Sequence, residues 1–156
     1  MGDQTDQELL AKSSIFGDLD ANELTRVAVI CSRESLKFGE YIFREGDDGD
    51  QLYIVAKGAV RLSRQVPGTG EEAISVLKEG ACFGEMTVLD PSPRSADAIV
   101  DSSCELLTIT REDFEQLLTS HPALGTKVLR AVVRLLSERL RSTNDHLRSV
   151  YVMSMF

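Results

Sequence analysis

The chain is short of the residues on which most catalytic sites rely. It has two histidines, His121 and His146, and three cysteines, Cys31, Cys82 and Cys104. Both histidines fall in the helix-patterned C-terminal part, so the clustered histidines of a metal-dependent barrel enzyme are missing and no metal site is expected. The cysteines form no CxxC pair and read as reduced, mostly buried thiols. There is no GxSxG, no P-loop and no cysteine in a nucleophile setting, so no catalytic residue is assigned and the chain is not read as an enzyme. No apolar run approaches the roughly 18 residues of a membrane span. The N-terminus, MGDQTDQELL, lacks a charged-then-apolar signal. Asp6 stands where a myristoylated Gly2 would need Ser or Thr. From these absences a cytoplasmic chain with no membrane partner is expected.

What is present suits a single domain: 156 residues, of which 42% are apolar. The net charge of −8 is unevenly spread. Residues 1–121 hold 23 acidic and 11 basic side chains, net −12, whereas residues 122–156 hold 2 and 6, net +4. An acidic body repels phosphate backbones, so no nucleic-acid partner is expected. The basic tail reads as a solvated helix face.

The periodicity changes twice along the chain. Asp6–Ser13 and Asn22–Cys31 read as short helices, the second with Leu24, Val27, Ala28 and Cys31 at helical spacing. From Ser35 to Thr110 come short β-like runs at Tyr41–Phe43, Gln51–Ala56, Val60–Leu62, Ile74–Val76, Ala96–Val100 and Cys104–Ile109. Glycines punctuate them, including Gly46, Gly49, Gly58 and Gly80, and are read as turns. Many short strands with frequent turns indicate an antiparallel sandwich or barrel. Helical spacing then returns at Arg111–Ser120, behind Thr110 as N-cap. Pro122 ends that run and opens a helix of about 25 to 30 residues. That helix fits a heptad, with a at Thr126, Val133, Leu140 and Leu147, and d at Leu129, Leu136, Thr143 and Val150. A helix packed on its own barrel would also show an apolar stripe. This one runs further than so small a barrel covers, so a homodimer seam is expected.

The stretch with most chemistry is FGEMTVLDPSPRSADAIV, Phe83 to Val100. Glu85–Leu89 is a one-turn helix behind Gly84, ended by Asp90-Pro91-Ser92-Pro93. Its first N–H groups lack internal partners and carry the positive end of the helix dipole. Gly84 lets an anion approach that backbone, Arg94 returns with a planar charged fork, and Ser95 adds a hydroxyl. Glu85 would repel a phosphate, but it can accept hydrogen bonds from sugar hydroxyls. These residue types suit a ligand that has a phosphate and a ribose hydroxyl close together.

FGEMTVLDPSPRSADA resembles the phosphate-binding cassette of the cyclic-nucleotide-binding domain family. EGDDGDQLYIVAKGAVRL resembles the family's glycine-turn strand pair, and the likeness spans Ile15 to Arg148. It implies a mainly β, α+β fold: an antiparallel jelly-roll β-barrel with N-terminal helices and a long C-terminal helix. Residues 1–33 would be the N-terminal helical segment, 34–110 the β-roll with its cassette at 83–96, and 111–156 the C-terminal lid and dimerisation helices. The resemblance implies that Glu85 holds the ribose 2′-hydroxyl. Gly84, Met86 and Thr87 would present backbone to the cyclic phosphate, Arg94 would pair with its oxygens, and Ser95 would bond nearby. Met86 and Thr87 depart from the family's usual Leu or Ile and Ala or Ser. Asp97, close to Arg94 in sequence, would weaken anion binding if it turned inward.

LSERLRSTNDHL resembles the central helix of catabolite-activator-type regulators, in which a Thr-Ser pair reaches adenine from the dimer seam. Thr143 and Asn144 stand at those positions. Those regulators continue into a helix-turn-helix domain, whereas this sequence ends at YVMSMF without one. The expectation is a cAMP-binding regulatory module that acts on an unidentified protein effector in signal transduction, with no cofactor beyond its ligand. Alternatives are a module of the same fold that binds cGMP or a cyclic dinucleotide, or no nucleotide. Threonine at the position of Ser95 goes with cGMP in this family, and the Thr143-Asn144 pair favours cAMP.

Overall fold

The computed structural model describes residues 4–156; Gly2, considered above as an acylation position, lies outside them. Two short helices, α1 (Asp6–Lys12) and α2 (Ala21–Ile30), come first. Both start in capping boxes, Thr5 with Glu8 and Asp20 with Glu23, so each exposed helix start supplies its own hydrogen bonds. Six strands follow: β1 (Ser32–Leu36), β2 (Tyr41–Phe43), β3 (Gln51–Val66), β4 (Gly70–Leu77), β5 (Cys82–Phe83) and β6 (Asp97–Thr110). The one-turn helix α3 (Glu85–Leu89) interrupts them, and α4 (Arg111–Ser120) and α5 (Pro122–Ser154) end the chain. All strand pairs are antiparallel, in the order β1-β6-β3-β4, with β2 also on β6 and β5 also on β3. This is the antiparallel β-roll expected from the sequence.

The two longest strands differ from expectation. Gln51–Ala56 and Val60–Leu62 belong to one 16-residue strand, β3, and the two C-terminal runs belong to one 14-residue strand, β6. Gly58 is therefore not a turn between strands. It sits inside β3 at φ +83°, where the register to β6 shifts on either side. This is a bulge that bends the strand. A Cβ at Gly58 would run into the carbonyl of Ser103, so the bend needs glycine.

Period-two alternation along the bent strands divides the interior. Leu52, Ile54 and Ala56 of β3 and Leu107 and Ile109 of β6 face a core shared with the helices, where Phe16 and Phe114 also pack. Tyr53, Val55 and Val60 of β3 face a second core inside the roll, with Phe83, Ala98, Val100 and Leu106. Both faces of the central strands are thus buried.

α4 begins as expected, with the Thr110 hydroxyl accepting the N–H of Asp113. α5 is longer than expected, 33 residues and about 50 Å. Its apolar residues form two faces. Leu124, Val128, Ala131 and Val132 pack into the body. Leu129, Val133, Leu140, Leu147 and Val150, all heptad positions, are exposed, and from residue 140 onward every side chain is exposed. A helix that only packed on its own barrel would need the first face alone.

The basic tail is not simply a solvated face. Lys127 pairs with Glu23, Arg134 with Asp18, and Arg139 with Glu85. The opposite charges of body and tail therefore serve partly to hold α5 against the body.

Candidate functional site

Gly84 precedes α3 in the left-handed region, at φ +79°, and its carbonyl is the hub of the turn. The Thr87 hydroxyl donates to that carbonyl over 3.1 Å. The Arg94 guanidinium donates to the same carbonyl over 3.2 Å, to the Thr87 hydroxyl over 2.7 Å, and to the carbonyl of Gln51 over 2.8 Å. It lies over the ring of Phe43, 4.2 Å from the centroid, a cation–π geometry. Arg94 is 4% exposed, and its Nε has no partner among the described residues. Burial pulls its pKa below the usual arginine value, against the pull of Tyr53 and Asp50. The charged fork is thus folded inward onto protein acceptors.

The backbone of Arg94 is fixed as firmly as its side chain. Its N–H donates to the carbonyl of Asp47, and its own carbonyl accepts from Gly46. Asp97 does not oppose the arginine as feared from the sequence. Its carboxylate accepts the backbone N–H of Glu45 over 2.7 Å, so it braces the turn that holds Arg94.

Glu85 is 1% exposed. One carboxylate oxygen pairs with Arg139, and the other has no partner among the described residues. Arg139 reaches down from α5 and also donates to the carbonyl of Cys82 over 2.9 Å. A buried carboxylate with a free oxygen is a hydrogen-bond acceptor held ready.

The six cassette positions expected from the sequence, Gly84, Glu85, Met86, Thr87, Arg94 and Ser95, line one pocket. Phe43, Leu62 and Arg139 line it as well, and none of these was foreseen. Met86 and Ser95 are exposed at its mouth, and the Ser95 carbonyl accepts from Arg64. Thr143 and Asn144 lie outside it, exposed on α5 about one turn beyond Arg139. The Thr143 hydroxyl bonds its own helix at the Arg139 carbonyl. The pocket encloses about 60 Å3. Sites for small-molecule ligands are typically about 300–1,000 Å3, so this pocket matches part of a nucleotide rather than the whole.

No group of three or more His, Cys, Asp or Glu residues among the described residues is placed to hold a metal. Nor is any helix among them long and apolar enough to cross a membrane. The thiols are buried or half-buried, and burial pushes that of Cys31 up to about 12.

Residues 33–121 match the family model of the cyclic nucleotide-binding domain. The chain is similar to a cyclic AMP receptor protein of Thermus thermophilus, 36% identical over 126 residues, 81% of this chain and 58% of that protein. It is also similar to a CRP-like cAMP-activated global transcriptional regulator of Mycobacterium tuberculosis, 27% identical over 140 residues, 90% of this chain and 61% of that one. It thus spans about three-fifths of the length of these curated relatives. Among solved structures, a cyclic nucleotide-binding domain from Methylobacillus flagellatus superposes with a TM-score of 0.80 at 30% identity, covering 91% of this chain and 80% of that one. Sequence match, fold and the convergence of the cassette residues agree: the chain belongs to the cyclic nucleotide-binding domain family.

Proposed function

We propose that the chain binds a cyclic nucleotide, cAMP before cGMP, in the pocket lined by the cassette, and that binding is read out through α5. The observation that carries this reading is the convergence of a buried guanidinium, Arg94, and a buried carboxylate, Glu85, on one pocket beside Gly84. Both ends of a ribose cyclic phosphate then meet suitable groups. The phosphate takes N–H donors that Arg94 now gives to Gln51, Gly84 and Thr87, and Ser95 bonds beside it. The ribose hydroxyl donates to the free oxygen of Glu85. The role is regulatory and cytoplasmic. It involves no catalysis, no nucleic-acid contact by this domain and no cofactor, and the effector is a protein.

Arg139 supplies the link to α5. It lines the pocket and pairs with Glu85, so a ligand that rearranges Glu85 also changes the hold on the long helix. The exposed heptad stripe then pairs α5 with a second copy, and Thr143 and Asn144 reach the base from that seam. Ligand and dimer affinities are therefore linked reciprocally. Placing Asp at both Leu140 and Leu147 is expected to yield a monomer by sedimentation, with cAMP binding weakened about tenfold. A dimer that survives both changes would remove the seam.

The choice of base is tested by direct competition. cAMP should displace bound cGMP at lower concentration than the reverse. Equal or tighter binding of cGMP would overturn the adenine preference and leave the phosphate and ribose sites as argued.

A further inference from the structure

Arg111, the first residue of α4, does not line the cassette pocket. Its guanidinium donates to the carbonyl of Thr87 in α3 over 2.5 Å and to the carbonyl of Gly49 over 2.6 Å. Its backbone N–H donates to the carbonyl of Asp50 over 2.6 Å. Arg94 ties the same two elements from the pocket side, through Gln51, Gly84 and the Thr87 hydroxyl. Thr87 is thus gripped twice, at its hydroxyl by Arg94 and at its carbonyl by Arg111. The 49–51 loop is gripped twice as well.

We infer that Arg111 is a positioning residue for the phosphate site: it clamps the 49–51 loop to α3 from behind, so the site keeps its shape while Arg94 changes partners. This rests on the cyclic-nucleotide reading above. The physical argument is an exchange of bonds. Turning the Arg94 fork toward a phosphate loosens its bonds to Gln51, Gly84 and Thr87, which help to hold the loop against α3. The two Arg111 bonds lie outside the pocket and need not change. With them, the phosphate end of the site needs only the turning of Arg94. Without them, the ligand must also order a loop and an α3 turn that are held less firmly beyond the β3–β5 pairing. The clamp also fastens the start of α4 to the cassette, and α4 leads directly into α5.

The test compares wild type with Arg111→Met and Arg111→Lys, using cAMP titration, thermal melting and segment-resolved hydrogen exchange. Arg33→Met is the control. Arg33 bonds Asp6, Gln4 and Glu105 and does not line the pocket, so its loss should lower stability and leave affinity unchanged. Arg111→Met is expected to bind cAMP about tenfold more weakly. Its amides at 47–51 and 84–90 should exchange faster in the ligand-free protein. Arg111→Lys should recover part of the affinity, since an ammonium has donors but no fork. A folded Arg111→Met that binds like wild type overturns the inference. So does an affinity loss no larger than that of Arg33→Met. If wild type binds neither cAMP nor cGMP, the nucleotide reading falls, and exchange alone decides the clamp. Faster exchange confined to the two segments then upholds it, and unchanged exchange overturns it.

Discussion

Arg94→Ala is expected to weaken cAMP binding by about 30-fold or more, the largest effect on affinity in this account. Breaking a charge-assisted bond to a desolvated phosphate costs roughly 2–5 kcal/mol. The site is suitably dry, since Arg94 is 4% exposed and stacked on Phe43. The same change strips the carbonyls of Gln51 and Gly84 of their donor, so the melting temperature should fall as well. Arg94→Lys separates the two effects. It keeps a charge and donors inside the cassette but cannot present a planar fork, so it should restore stability more fully than affinity. An alanine variant that binds cAMP as wild type does would remove the cassette from the account.

Arg139→Met should have the largest effect on stability. Glu85 is 1% exposed, and Arg139 is its countercharge. Removing one partner of a buried ion pair costs about 3–5 kcal/mol, because the other charge is left without compensation. The Arg139 side chain is itself 35% exposed, which places the cost near the lower end, about 3 kcal/mol. For a chain of this size, that is a drop of roughly 6–12 °C in Tm. Adding Glu85→Gln removes the stranded charge, so the double variant should melt well above Arg139→Met alone. If Arg139→Met melts like wild type, α5 is not tied to the cassette through this pair.

What the sequence made legible was local. The gathering of the cassette residues was readable because it depends on spacing within one short segment, from Gly84 and Glu85 to Arg94. The start of α4 was readable because an N-cap threonine acts on an N–H three residues away. Gly58 was misread because a left-handed glycine serves a turn and a bulge equally well, and the partner that decides is Ser103, 45 positions on. Arg139 was missed for a similar reason. In a basic helix it looks like any solvated cation, and only the crossing of α5 over the cassette brings it to Glu85. The inward fold of Arg94 was also out of reach, since its acceptors at Gln51 and Gly84 are backbone carbonyls.

The Glu85–Arg94 pocket is proposed to take a cyclic nucleotide. Calorimetric titration of the wild-type protein with cAMP tests this most directly, with Arg94→Ala titrated alongside. Saturable binding at one site per chain is expected, with binding by the variant at least about 30-fold weaker. Absence of saturable binding of cAMP to the wild-type protein, or equal binding by the two proteins, would contradict it.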